Sequence, residues 1–247
     1  MNEYRQRLIA ELNKLYRRHY CKGGKCPCLA DCSSGMGSEK FLCDYATRVG
    51  ENYGQRFPKV VVLGQEGRSY HPEHTIPVDD IRNANNLHYR RTLYTLVKLF
   101  TGKEPDNEST AALKQYNEYL TEFCLTNYYK CAFAPSEESV SKLKHSEAMQ
   151  EHCGLLLLEE LNLLQPDLLI VQGKFVSSWL WDKLIDQEAV VYQNKNASVA
   201  LYHHHNDPSR YVLDSYHPTG CGGWWLKTKQ DLMNALCKFR SEEKTKF

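Results

Sequence analysis

Short apolar runs alternate with stretches of helical periodicity along most of this 247-residue chain. Residues 59–64 and 167–173 are compact runs of valine, leucine and isoleucine that each end in glycine, which is typical of buried parallel strands. Residues 89–100 and 153–164 repeat apolar residues at intervals of three and four, which predicts helices. Strands that alternate with helices favour a sheet covered on both faces. We therefore predict an α/β fold, a three-layer αβα sandwich around a central, mainly parallel sheet of four strands.

The remaining predicted elements complete this sandwich. An amphipathic helix opens the chain, an apolar run leads into the polar motif that follows it, and one further helix and two strands come late in the sequence. These elements occupy residues 3–20, 123–126, 175–185, 198–203 and 211–215. A chain of this length and composition usually forms one core, so we expect a single domain over residues 1–247.

Composition and charge bear on the partners and the cellular location that we expect for this protein. Charged residues make up 25% of the chain, yet the formal net charge is only +1, so no bulk positive field indicates a polyanionic partner. No apolar run approaches the ~20 residues of a membrane helix, and residues 1–20 are charged and unlike a signal peptide. We expect a monomeric protein of the cytoplasm, associated with the nucleoid if bacterial.

Cysteines cluster near the start of the chain, at Cys21, Cys26, Cys28 and Cys32. The surrounding segment is rich in Gly and Ser and has no sustained period, so it needs a staple to be ordered. Metal ligation in a reducing compartment fits this clustering, and disulfides are the alternative. We expect the helix and Cys-rich segment of residues 1–54 to pack on the domain through a metal site.

Four segments, taken in order, resemble the motifs of family 4 and related iron-sulfur uracil-DNA glycosylases. They are VVLGQEG at residues 61–67, LTNYYKC at 125–131, the stretch from HC to QG at 152–173, and DSYHPT at 214–219. The resemblance spans roughly residues 21–220 and implies the fold of that superfamily. It also implies DNA containing uracil or a related deaminated base as partner.

The first of these segments diverges from the iron-sulfur pattern. Gly67-Arg68 stands where those families usually carry Pro-Gly. Gly64-Gln65-Glu66, followed by Tyr70-His71, is instead similar to the Gly-Gln-Asp-Pro-Tyr-His motif of the family 1 enzymes, with Glu in place of Asp. The resemblance therefore combines features of two branches.

The resemblance implies a role for each matched residue. Cleaving a base from deoxyribose creates a cationic sugar and an anionic pyrimidine, which need a negative group and hydrogen-bond donors respectively. Glu66 would steady the sugar and orient water, His217 would donate to the base, and Gln65 would lie against it. The predicted catalytic residues are thus Glu66, His217 and Gln65, and the predicted substrate-binding residues are Gly64, Asn127, Tyr70 and His88. His88 lies outside the matched motifs and is a candidate, with Tyr89 as the alternative, for the aromatic residue that stacks on the base in that family.

The resemblance also implies a [4Fe-4S] cluster, which takes four thiolates. Cys131 and Cys153 match two ligand positions, and two more would come from Cys21, Cys26, Cys28 and Cys32. Structural zinc would accept the same ligands and is the alternative. Two other cysteines, Cys124 and Cys237, lie among apolar neighbours and are expected to be free and buried. Cys43 and Cys221 have no assignment.

Each of these residues also has an ordinary structural interpretation. Glu66 would then be a solvated loop residue, His217 a strand end before proline, and Asn127 a turn residue. At the level of the whole chain, the alternatives are a non-catalytic protein that recognises a modified base and a metal-stapled interaction protein. The favoured hypothesis is a DNA glycosylase of base excision repair.

Several other segments have two interpretations. His203, His204 and His205 are expected to form a solvated or DNA-facing hairpin, because adjacent strand residues point to opposite faces. Trp224 and Trp225 are expected to pack against the sheet, and the alternative is a wedge into DNA. The helical cations Arg90, Arg91 and Lys98 form either an ordinary charged face or phosphate contacts.

Overall fold

The structure is a computed structural model, and it describes residues 3–19, 40–43, 47–66, 87–134, 147–174, 176, 178–219 and 223–244. At residues 40–43, 65–66, 131–134 and 224 it describes the backbone alone.

A seven-stranded mixed sheet forms the centre of the described fold, in the order β2-β4-β3-β6-β9-β8-β7. Its strands are β2 (Arg48–Val49), β3 (Val60–Glu66), β4 (Phe123–Tyr129), β6 (Leu168–Gln172), β7 (Ile185–Gln193), β8 (Ala200–His204) and β9 (Asp207–Ser215). The four neighbours β4, β3, β6 and β9 are mutually parallel, and the other three pair antiparallel at the two edges. A separate antiparallel pair joins β1 (Lys40–Cys43) and β5 (Cys131–Ala134). The predicted α/β sandwich with a four-stranded parallel centre is confirmed, and the complete sheet is larger.

Helices cover both faces of this sheet. They are α1 (Glu3–His19), α2 (Leu87–Thr101), α3 (Thr110–Leu113), α4 (Glu147–Leu164), α5 (Ser178–Leu184) and α6 (Trp224–Glu242), with a 3₁₀ helix at Lys114–Thr121. Because side chains alternate across a strand, Val61 and Leu63 join the core under α1, α4 and α5, whereas Val60 and Val62 join the core under α2 and α6. The β-branched run that predicted β3 is therefore buried on both faces.

Several predicted boundaries were wrong. The helix predicted from Cys153 begins at Glu147, so Cys153 lies inside α4 rather than at its start. The predicted helix 175–185 covers only Ser178–Leu184, and the chain continues directly into β7. The sequence did not predict β7. This strand lies at the sheet edge, and charged, exposed residues such as Glu188 interrupt its apolar pattern.

A buried polar network joins α1 to the sheet and to α4. Lys130 Nζ donates to Glu160 Oε2 at 2.5 Å and to Thr126 Oγ1 at 2.8 Å, and both members of this ion pair are almost completely buried. Tyr16 donates its hydroxyl to Glu160 Oε1 at 2.7 Å and accepts the Thr47 N–H at 3.0 Å. Burial, followed by the Glu160 charge, raises the pKa of Tyr16 well above its ordinary value, so this phenol stays a donor.

No helix among the described residues combines the length and apolar character needed to cross a bilayer.

Candidate active site

The carboxyl ends of the four parallel strands bring several predicted site residues to one edge of the sheet. Gly64 of β3 lies in register with Asn127 of β4, and Gln172 of β6 lies in register with Ser215 of β9. His217 follows Ser215 by two residues as the chain leaves that strand. Ligands of open α/β sheets bind beyond such carboxyl ends, so this edge is the candidate site.

Gly64 makes room for the Asn127 side chain. A Cβ atom at residue 64 would lie 2.8 Å from Asn127 Oδ1, which is closer than carbon and oxygen atoms approach without a bond. No described residue hydrogen-bonds the Asn127 amide, which is only partly buried. Its oxygen and its N–H groups can therefore serve a ligand at this edge.

His217 is held in one tautomer by the residue two positions later. Its Nδ1 accepts the Thr219 backbone N–H at 3.2 Å and lies 2.9 Å from the Thr219 hydroxyl. A ring nitrogen that accepts a backbone N–H carries no proton, so in the neutral ring the proton is on Nε2. The His217 ring therefore offers a hydrogen-bond donor at Nε2.

His88 lies against His217 and belongs to a second hydrogen-bonded group. The two imidazole rings lie 4.7 Å apart between centroids, at an interplanar angle of 30°. His88 Nε2 donates to Gln172 Oε1 at 2.7 Å, and Gln172 Nε2 donates to Thr92 Oγ1 at 3.0 Å. Gln172 and Thr92 were not among the residues predicted for the site. They connect α2 to the end of β6 and fix the ring of His88.

Burial gives His88 a pH-dependent effect on stability. Burial lowers the pKa of His88 from its ordinary value of 6.5, and the hydrogen bond to Gln172 offsets this only in part. A histidine whose pKa is lowered by folding contributes full stability above its unfolded pKa and loses stability as pH falls below it.

We expect a His88→Asn variant to lose less stability than the wild type between about pH 7.5 and about pH 5.5, because the variant has no imidazole to protonate in the unfolded chain. Urea unfolding at both pH values measures this difference. The exposed His205→Asn replacement is the matched control, and we expect it to follow the wild type. Equal pH dependence of His88→Asn and wild type would contradict the role of burial.

Three predicted residues have no described side chain. β3 ends at Glu66, so the backbones of Gln65 and Glu66 reach the same edge as Asn127. Tyr70 lies outside the described residues, as do His71 and the rest of the loop after β3. The roles of Gln65, Glu66 and Tyr70 stay predictions.

Asp214 is a buried carboxylate at the start of the DSYHPT segment of residues 214–219, here called the closing motif, and it lies on the α5 side of the sheet. Asp214 pairs with Lys174, whose Nζ also lies 5.4 Å from the centre of the Tyr216 ring. Burial raises the pKa of Asp214, and the Lys174 charge opposes this rise. Because its strand neighbour Val212 joins the core under α4 and α5, Asp214 faces away from His88 and Gln172. We interpret the pair as support for the turn that follows β6.

The predicted metal ligands are described only in part. Cys21, Cys26, Cys28 and Cys32 lie outside the described residues, and Cys131 is described by its backbone alone. No cluster of three or more potential ligands is found within the described portion of the chain. Cys153 is buried, and its Sγ accepts the Lys130 backbone N–H at 3.4 Å. Cys43, which had no assignment from sequence, lies in register with Cys131 across the β1–β5 pair.

Two cysteines were expected to be free and buried. Cys124 is buried as predicted, whereas Cys237 is exposed on α6, so that prediction was wrong for Cys237. The apolar neighbours of Cys237 in sequence face the core, and helical periodicity turns Cys237 itself outward.

The other ambiguous segments have structural explanations. Trp225 is 5% exposed and packs edge-on against Tyr94, as expected for a core residue. His203 and His204 lie in the β8–β9 hairpin, and their Nδ1 atoms contact backbone groups of that hairpin. Lys98 donates to the Gly102 carbonyl at 3.1 Å, so it is committed within the chain.

A cavity of about 170 Å³ lies at the opposite edge of the parallel strands, near the start of β9. Leu161, Leu169 and Tyr211 are among its apolar lining residues, and Lys183 and Arg210 are among its polar ones. None of the residues predicted for the site contributes to it, so this cavity is separate from the candidate site.

The fold and this edge define an α/β protein whose polar residues gather beyond the carboxyl ends of its central parallel strands. The chain matches the Uracil DNA glycosylase superfamily over residues 51–240, more than half of its length. It therefore belongs to the uracil-DNA glycosylase superfamily. A search of curated proteins gives no significant match. Membership indicates a glycosylase-type function on DNA, whereas the iron-sulfur branch stays a prediction.

Proposed function

We propose that this protein is a DNA glycosylase of base excision repair that extrudes uracil, or a related deaminated base, and hydrolyses its N-glycosidic bond. The observation that carries the proposal is that two polar groups, from β4 and from the segment after β9, lie at the same sheet edge. His217 Nδ1 accepts a backbone N–H, which favours the ring proton on Nε2, and the Asn127 amide has no hydrogen-bond partner among the described residues. A flipped base needs such groups on its hydrogen-bonding edges.

The proposed reaction divides its charges between two sides of the site. The bond between the sugar and the base breaks with its electron pair going to uracil, and water then adds to the sugar carbon. His217 donates a hydrogen bond from Nε2 to the O2 oxygen of the leaving uracil, where negative charge develops. Glu66 stabilises the cationic sugar, orients the water and accepts its proton. Gln65 lies against the base.

Asn127 gives the site its discrimination between uracil and cytosine. Its amide oxygen accepts the N3–H of uracil, and its N–H donates to the O4 oxygen. Cytosine presents an acceptor and a donor at these positions, so both contacts would be mismatched. Mismatched polar groups in a closed site discriminate strongly. Gly64 allows this amide to reach the base, because a larger residue would collide with it.

The proposed cofactor is a [4Fe-4S] cluster that staples the N-terminal segment to the sheet, with structural zinc as the alternative. Cys153 supports it, because its sulfur is buried and accepts a backbone N–H, as cluster-ligating sulfurs commonly do. Cys131 is the second ligand, and the others come from Cys21, Cys26, Cys28 and Cys32. The register with Cys131 adds Cys43 to these candidates.

We expect purified protein to be brown, with absorbance at about 400 nm and about four iron atoms per chain. Replacing Cys153 with Ser should remove most of this colour, because one thiolate ligand is lost. The exposed Cys237→Ser replacement is the control and should leave the spectrum unchanged. A colourless protein with stoichiometric zinc would replace the cluster with the zinc alternative.

The glycosylase proposal is tested with oligonucleotides that contain a single uracil, cytosine or thymine, in single- and double-stranded form. Protein is incubated with each strand, and alkali then breaks the strand wherever a base has been lost. We expect breaks at uracil and none at cytosine or thymine. Salt-dependent binding without breaks would favour the non-catalytic recognition protein. Absence of both binding and breaks would favour the metal-stapled interaction protein.

A further inference from the structure

The guanidinium of Arg91 on α2 is fully engaged within the fold. Its Nη1 donates to the Pro218 carbonyl oxygen at 2.6 Å. Its Nε and Nη2 donate to the two carboxylate oxygens of Glu108 at 2.8 and 3.3 Å. The guanidinium also lies 5.3 Å from the centre of the Trp225 ring, and the Arg91 side chain is 15% exposed. Arg91 therefore connects α2, the segment before α3, the closing motif and α6.

The carbonyl that Arg91 holds belongs to the peptide unit that also orients His217. A peptide bond is planar, so the Pro218 oxygen and the Thr219 N–H point in opposite directions from one rigid plane. Arg91 fixes the oxygen side of this plane. The N–H on the other side donates to His217 Nδ1. A donor on the carbonyl also polarises the peptide and strengthens its N–H as a donor.

We propose that Arg91 is a positioning residue for His217 and acts through the Pro218–Thr219 peptide unit. This inference rests on the proposed function in assigning His217 to the departing base. With Arg91 in place, the N–H faces Nδ1 and the imidazole presents its Nε2 proton to the base. Without it, the peptide plane rotates, Nδ1 loses its backbone donor and keeps at most the rotatable Thr219 hydroxyl, and the ring loses its fixed orientation and its preferred tautomer.

Glu108 completes this arrangement, because it binds two guanidinium nitrogens and leaves Nη1 aimed at the Pro218 carbonyl. Such two-point pairing fixes the plane of a guanidinium, which a single contact does not do. A lysine at residue 91 keeps the charge but lacks the planar fork, so it cannot hold both partners in this geometry. The arrangement therefore requires arginine specifically.

The test compares Arg91→Lys with the wild type and with Lys98→Met. Lys98 is the matched control, because it is a cation of the same helix that contacts Gly102 and Glu104 instead of the closing motif. Imidazole nitrogens are labelled with ¹⁵N, and the His217 signals, assigned by their loss in His217→Asn, report which ring nitrogen carries the proton. Single-turnover release of uracil and the Kd for uncleaved DNA are measured on the same proteins.

We expect Arg91→Lys to shift the His217 signals toward a mixture of tautomers and to lower the single-turnover rate about ten- to hundredfold. The Kd should change less than about threefold, because the Arg91 guanidinium is bound to Glu108 and Pro218 within the fold and not proposed to contact DNA. Lys98→Met should keep both the signals and the rate. Glu108→Gln, which retains a hydrogen-bond acceptor, should shift the signals less than Glu108→Ala.

Wild-type His217 signals in Arg91→Lys would overturn the inference. A rate that falls only in proportion to the folded fraction, measured by thermal unfolding, would also overturn it. If Arg91→Lys does not fold, the His217 ¹⁵N signals of Glu108→Gln and Glu108→Ala test the inference instead. Wild-type signals in both variants would then overturn it. If the wild type releases no base, the proposed function fails, and the His217 signals still test the role of Arg91.

Discussion

Replacing His217 with Ala should lower the single-turnover rate of uracil release about 10²- to 10³-fold, the effect of removing one donor from a developing anion. The reason is the geometry at Nδ1, which accepts the Thr219 N–H, so that Nε2 carries the ring proton and is the proposed donor to the base. The loss should fall on the chemical step. Binding of intact uracil DNA should change much less, because the base carries full negative charge only when the bond breaks.

His205→Ala is the matched control for this prediction, because His205 is an exposed histidine at the turn between β8 and β9. It should retain the wild-type rate within about a factor of two. A His217→Ala protein that is folded and releases uracil at the wild-type rate would remove His217 from the reaction.

Replacing Lys130 with Met should lower the free energy of unfolding by about 3–5 kcal/mol. Lys130 and Glu160 are both almost completely buried, and their contact is 2.5 Å. Removal of the ammonium leaves a buried carboxylate without its counter-charge, and the hydrogen bonds from Tyr16 and Thr126 compensate for it only in part. Urea unfolding followed by circular dichroism measures the change.

Lys14→Met provides the comparison at the surface. Lys14 also pairs with a glutamate at 2.6 Å, but both side chains are about half exposed or more. Such pairs contribute about 0–1 kcal/mol. Adding Glu160→Gln to Lys130→Met should recover part of the loss, because the buried charge is then absent. A Lys130→Met variant no less stable than Lys14→Met would contradict the account of this network.

Local patterns in the sequence were sufficient to predict the central strands. The run of valines before Gly64 and the leucine-rich run before Gln172 are buried on both faces. A continuous apolar run predicts a strand of this kind. The same reasoning missed β7, because an edge strand exposes one side and carries charges there. Boundary errors at α4 had a similar origin, since its first turns are polar.

Most residues of the candidate site were proposed because they lie in a recognisable motif. Gly64, Asn127 and His217 were proposed in this way, and the register of the strands explains why they share one edge. The supporting contacts had no local signal. Gln172 and His88 are 84 positions apart, and Arg91 and Pro218 are 127 positions apart, so only the folded chain brings them together.

The sequence alone did not show what the cations of α2 contact. The helical cations Arg91 and Lys98 suggested either an ordinary charged face or phosphate contacts, yet both bind groups within the fold. A charged residue on a predicted helix does not reveal which way it points until its neighbours are known. Arg91 therefore gains a role that the sequence alone did not indicate.

The most direct test of the proposed activity is to measure free base released from DNA. Purified protein in excess is mixed with an oligonucleotide duplex that carries one uracil, and mass spectrometry quantifies both free uracil and the remaining strand. We predict one free uracil for each abasic strand, with the rate falling in Glu66→Gln and in His217→Ala. Folded protein that binds this duplex but leaves the uracil attached would contradict the proposal.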